Sequence, residues 1–157
     1  MASRREAVLG AVIAAHEVAS VPSPNGQPAT NKPTGLTVHR FPTRPLKKEN
    51  FPAIAVFPER ESVGEEASSK VVRTLEVALE IRVLAPADTA PSTAADPFST
   101  WVEKALMADI QLGGVARSVS IIDYEIAAAE EDQIYVLATV RARITYSTHY
   151  QDPEQAG

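Results

Sequence analysis

Three histidines are the first place to look for chemistry in this chain, and they are scattered. His16, His39 and His149 lie on a helix end, a loop or short strand, and the C-terminal tail. No two have the i, i+4 helix spacing or the one-apart strand spacing that aims both at a metal ion. His16 closes an apolar stripe and reads as a histidine at the edge of the core. Carboxylates cluster at Glu65-Glu66 and at Glu130-Glu131-Asp132. Both sets fall at expected loop tips, where solvent denies a carboxyl the raised pKa that general-acid work needs. No serine sits in G-x-S-x-G or S-x-x-K with supporting partners. The glycines make neither a phosphate loop nor a dinucleotide fingerprint. Cysteine is absent, which excludes disulfides, thiolate metal sites and a cysteine nucleophile. Trp101 belongs to a helix stripe and reads as core rather than as a ligand platform. The residues thus offer no catalytic, cofactor or metal constellation, and the chain is not expected to be an enzyme.

Arginine is what remains. Arg82, Arg141 and Arg143 fall on the polar faces of two long alternating segments, and Arg73 interrupts an apolar face. If the segments pair, these arginines meet Glu76 and Glu80 on one charged surface. Two readings stay open: cross-strand ion pairing on a wet face, which stabilises little, or an intersubunit contact, where arginine is enriched. Glu65, Glu66, His39 and Tyr150 join the arginines as interface candidates.

The elements that position these residues follow from periodicity. Residues 70–84 place Val71, Leu75, Val77, Leu79, Ile81 and Val83 on one face; residues 133–146 do the same with Ile134, Val136, Ala138, Val140, Ala142, Ile144 and Tyr146. A period of two with one apolar face means a strand packed on one side. Fifteen residues at about 3.3 Å each span roughly 50 Å, whereas a compact chain of this size has a radius of gyration of about 15 Å. The strands must bend or project, and a projecting hairpin with open edges calls for a covering partner. A second copy of the chain is the simplest cover.

Ser3-Arg4-Arg5-Glu6 has capping-box spacing, and Val8, Leu9, Val12, Ile13 and His16 continue it as a helix stripe that should stop near Ser20, ahead of Pro22 and Pro24. Residues 21–50 read as an extended Pro-rich loop or arm with a short strand at 36–41, either a surface excursion of no special role or an arm suited to lie on a neighbouring subunit. Phe51–Phe57 is a short strand closed by Pro58, and 59–69 is a polar hairpin tip. Asp96-Pro97 is expected to cap a second helix, carrying Phe98, Trp101, Val102, Ala105, Leu106 and Ile110, which Gly113-Gly114 ends. A strand at 118–127 precedes the final one, and 151–157 is a tail. The fold class expected is α+β: one domain over 1–157, with a mainly antiparallel sheet of four to five strands, two helices on one face, and a long projecting hairpin.

The 157 residues carry a formal charge of -5 with no basic cluster longer than Lys47-Lys48, which argues against gripping nucleic acid through phosphates. Arg4-Arg5 ahead of Ala7–Ala15 imitates an export signal, but Glu6, His16 and Glu17 oppose that reading. No apolar run reaches the eighteen or more residues needed to cross a bilayer as a helix.

Taken together, the capped first helix, the Pro-rich passage, Phe51-Pro-Ala-Ile-Ala-Val56, Leu75-Glu-Val-Ala-Leu-Glu-Ile-Arg-Val83, the Asp96-Pro97 helix and the closing Val136…Tyr146…Asp152-Pro153 resemble the tail terminator (tail-completion) proteins of long-tailed bacteriophages. The resemblance is one of order and pattern, mainly from residue 51 onward. It implies a non-enzymatic virion subunit, assembled in the host cytoplasm into a ring, a hexamer, at the head-proximal end of the tail. It implies as partners further copies of the chain, the tail tube protein and a neck or head-completion protein, with DNA passing through the lumen. Another neck or tail-tube subunit, or a small ligand-binding α+β domain, are the alternatives.

Overall fold

A computed structural model describes residues 3–42, 44, 46–67, 69–130, 134–150 and 152–157, with the backbone alone at 65–67 and 130. The first helix, α1 (Arg4–Glu17), begins as its sequence requires: Ser3 Oγ accepts from the Glu6 N–H at 3.3 Å, and Val8, Leu9, Val12 and His16 are buried. Eight strands and a second helix follow: β1 (Ser20–Val21), β2 (Thr30–Asn31), β3 (Thr37–Arg40), β4 (Ala53–Ala67), β5 (Lys70–Ala85), α2 (Pro91–Ala108), β6 (Ser118–Glu130), β7 (Ile134–His149) and β8 (Asp152–Ala156). The main sheet has six strands in the order β3-β4-β5-β7-β6, with β8 on the end of β7. β3 runs parallel to β4, and every other pair in it is antiparallel. The fold is α+β as expected, but the sheet is mixed and one strand larger than the sequence suggested.

β5 and β7 pair without interruption from Lys70↔His149 to Ala85↔Ile134. Their apolar residues join Val8, Leu9 and Val12 of α1 and Trp101, Val102 and Leu106 of α2 in one core. Burial on this face runs from Val71 to Val83 and from Val136 to Thr148. The expected projection is therefore not found along β5 and β7: the chain's own helices cover them. Among the described residues, Ser62–Gly64, Ser69, Lys70 and Tyr150 are exposed at that end.

Several expected boundaries move, each for a physical reason. β4 does not stop at Pro58. Pro58 pairs with Val77 and Arg60 with Glu76, so Glu59 is the extra residue of a β-bulge, the one interior setting where a strand readily accepts proline. What looked like a polar tip at 59–69 is thus mostly strand. α2 begins at Pro91, where a proline at the first position fits. Pro97 lies inside the helix, because burial of Ala95 and Ser99 holds the preceding turn in place. The helix ends at Asp109, well before Gly113 and Gly114 take their positive φ; Asp109 accepts from the Gln111 and Gly113 N–H groups at 3.0 and 2.7 Å and starts a separate 3-10 turn. The 21–50 passage folds largely onto its own body. β1 and β2 form a small pair whose Thr30 Oγ1 accepts from Lys104 of α2, Leu36 is buried, and Phe41 packs edge-on against Phe57 at 5.4 Å. The 151–157 tail, finally, is strand from Asp152.

Candidate assembly surface

The two faces of the sheet carry different electrostatics. Away from the helices, the register lines up Phe57, Ala78, Arg141 and Asp123 across β4, β5, β7 and β6. Ala78 ends at its Cβ. The Arg141 guanidinium therefore passes over β5 and reaches Glu59 at 3.3 Å, while Nη1 donates to Asp123 at 3.2 Å and Glu125 at 3.1 Å. Hydrogen bonds to Glu125 and Asp123 raise its pKa further above an already high value. The neighbouring row holds Arg60, Glu76, Arg143 and Ser120, with Arg143 donating to Glu76 at 3.2 Å. Arg82 pairs with Glu80 on its own strand at 2.7 Å. Arg60 is exposed and makes no ion pair among the described residues. Five carboxylates on this face (Glu59, Glu76, Glu80, Asp123, Glu125) meet four arginines and the exposed Lys70, so its formal charges balance. Pairs this exposed add little stability; what they do is hold long side chains in a flat, hydrated array.

The helix face hides a second ionic group. Glu61, 11% exposed, accepts at Oε1 from Arg5 (2.7 Å) and Arg73 (2.9 Å) and at Oε2 from Arg5 (3.0 Å) and the Tyr146 hydroxyl (2.5 Å). Burial alone would raise this carboxyl; the bonds from Arg5, Tyr146 and Arg73 outweigh it and hold the pKa at about 2. Burial and the bond to Glu61 push the Tyr146 hydroxyl up. Arg73 also donates to Thr148 Oγ1 at 3.0 Å. The bulge at Glu59 makes this possible. It inverts the alternation, so that Glu61, opposite Leu75, points toward α1.

The interface candidates read from sequence therefore separate. Arg82, Arg141 and Arg143 share the wet face. Arg73 belongs to the buried cluster and is no free interface residue. His39 lies on β3, its Nε2 2.9 Å from Thr37 Oγ1. Tyr150 is exposed past the end of β7, its N–H donating to the Ser69 carbonyl. The side chains of Glu65 and Glu66, and residues 131 and 132, lie outside the described residues. His16 is fully buried rather than at the core's edge, its Nδ1 2.6 Å from the Val12 carbonyl, and burial lowers its pKa. Sequence reasoning missed Glu59, Glu61, Asp123 and Glu125; Pro58 inside an otherwise alternating segment was the available signal of a bulge.

Among the described residues, no three His, Asp or Glu side chains converge as metal ligands, and no helix is long and apolar enough to cross a membrane. No family model matches the chain, and neither does any curated protein.

Proposed function

We propose that this protein is a structural subunit of a long-tailed phage virion, a tail terminator whose copies close into a ring, a hexamer, on the last ring of the tail tube. The ring stops tube growth and offers a surface to the neck or head-completion protein. The observation that carries this reading is the two-sided character of the long four-stranded layer β4-β5-β7-β6. One face is packed under helices over β5 and β7; the other is a wet, internally paired surface of balanced charge. Sixteen-residue strands give that surface a height of about 50 Å. Such a face can line a hydrated channel. With Arg82, Arg141 and Arg143 each held by a carboxylate, such a face would offer phosphates no concentrated positive patch, which suits DNA that passes without binding. The order of elements from residue 51 onward supports the same reading.

Mass measurement in solution, negative-stain images, and addition of the purified protein to growing tail tubes test the proposal. Closed rings and tubes of arrested length are expected. A protein that stays monomeric at every concentration and leaves tubes growing would refute it. Open filaments would instead favour a tube subunit.

A further inference from the structure

The long layer ends in two unfinished edges. β6 hydrogen-bonds β7 on one side and, among the described residues, no strand on the other. β3 covers β4 at Ala53–Val56, and among the described residues no strand lies along the outer edge of β4 from Phe57 onward. Each edge is a row of unpaired backbone donors and acceptors. Their polarity matches. β4 is antiparallel to β5, β5 to β7 and β7 to β6, so β6 runs antiparallel to β4. A β4 from a second copy, laid beside β6 with the sheet's faces kept in common, therefore forms an antiparallel ladder.

Side chains on both faces complement that ladder. On the wet face, β4 offers the unpaired Arg60 and β6 offers Asp123 and Glu125, whose side chains are 52% and 69% exposed. On the helix face, β4 offers Val63, opposite Arg73 and 60% exposed; β6 offers Tyr124 and Ile126, opposite Val140 and Ala138, at 43% and 38%. Within one chain α2 does not reach over these two, although they share the face of the core. The register that sets Val63 opposite Tyr124 places Ile126 diagonal to Val63 and sets Arg60 opposite Ala127, with Glu125 diagonal to it and within reach of the long arginine side chain.

We infer that the β4 edge of one copy adds to the β6 edge of the next, Arg60 reaching Glu125 while Val63 packs on Tyr124 and Ile126. The contact is head-to-tail, so each copy keeps one free edge of each kind and only a closed ring satisfies them all. It supplies the closure that the proposed ring needs, but it is argued from the edges alone.

The absence of cysteine makes the test clean. Within one chain β4 and β6 stand three strand spacings apart, roughly 14 Å, and a disulfide needs Cα atoms within about 7 Å. Full-length Val63→Cys/Tyr124→Cys, oxidised and run without reductant, should give a ladder of trimers and higher multimers. Either single variant should give dimers at most, and Arg60→Glu added to the pair should cut crosslinking at least tenfold. Val63→Cys/Glu125→Cys, with its thiols on opposite faces, is the control, and circular dichroism checks the fold. Should Tyr124→Cys perturb it, Ser62→Cys/Glu125→Cys, directly opposed in the same register, replaces the pair. No ladder above the control, or dimerisation of Tyr124→Cys alone as efficient as the pair, would overturn the contact. A ladder without tube capping leaves the contact standing and removes the function proposed above; capped tubes whose chains do not crosslink do the reverse.

Discussion

Replacing Glu61 by Gln keeps the shape of the buried cluster and removes its charge. Both carboxylate oxygens accept two hydrogen bonds, so the group is saturated. Its pKa drops from an ordinary 4.5 to about 2, and at about 1.4 kcal/mol per unit that is roughly 3 kcal/mol of differential interaction. Arg5 is 46% exposed, so solvent screens its share, and about 2 kcal/mol is the expected loss at pH 7. The sign with pH follows from the depressed value. A carboxyl held down in the fold contributes fully above about pH 4.5, and the contribution drains as pH falls toward 2. The gap between wild type and Glu61→Gln should therefore shrink with acid, with less than half remaining at pH 3. Urea unfolding of both proteins from pH 7 to pH 3 measures it, and every other carboxylate cancels in the difference. A gap of constant size across the series, or none at pH 7, would show that the cluster does not act through the Glu61 charge.

Deleting Glu59 removes the bulge but leaves Pro58 opposite Val77, Arg60 opposite Glu76 and Glu61 opposite Leu75; the Glu61 cluster should persist and urea unfolding should change by less than about 1 kcal/mol, the share of the exposed Glu59–Arg141 pair, whereas a loss of several kcal/mol would show that the bulge itself holds Glu61 inward. Pro97→Ala restores a backbone N–H inside α2 and should raise stability by about 1–3 kcal/mol, read as a higher Tm, whereas a helix beginning at Pro97 would leave Tm unchanged. Leu79→Asp or Val140→Asp buries an unpaired charge at one directly opposed, fully buried pair, and either should abolish native circular dichroism. His16 is kept neutral by burial, so part of the protein's stability should fall away as pH drops below about 6.5, the ordinary histidine value, and His16→Gln should lack that part in paired unfolding curves.

Local signals wrote the legible parts of this fold. α1 follows from Ser3, Glu6 and an apolar stripe, all within one segment. β5 and β7 follow from a period of two, and the wet-face position of Arg82, Arg141 and Arg143 follows from the same alternation. Parts that depend on a neighbour were not legible. β3 pairs in parallel with β4 through its backbone, which leaves no side-chain pattern. Asp152–Ala156 has no strand pattern either and is recruited by the end of β7. Arg73 looked like an intruder on an apolar face because its partner, Glu61, arrives only through a bulge in another strand. Pro97 looked like a first helical residue because sequence cannot show that Ala95, two residues earlier, is already buried.

Strand length creates three kinds of exposure, and the fold resolves two of them. The inward faces of β5 and β7 are buried from Val71 to Val83 and from Val136 to Thr148. The outward face is hydrated and pairs its own charges. Edges are the part that a single copy leaves open, and they lengthen with the strands: the thirteen residues of β6 present roughly 43 Å of unpaired backbone. Both edge strands carry a bulge, at Glu59 in β4 and at Ile122 in β6. Bulges bend and twist the strands that hold them, so the layer curves from both sides. Arg141 stands between the two. Glu59 is the bulged residue on one side, Asp123 follows the bulged residue on the other, and one guanidinium binds both. Moving either bulge by a residue would take a carboxylate out of reach of Arg141 and change the curvature of the layer in the same step. The ion pairs of Arg141 and the bend that presents the layer to a neighbouring copy are thus set by the same two bulges.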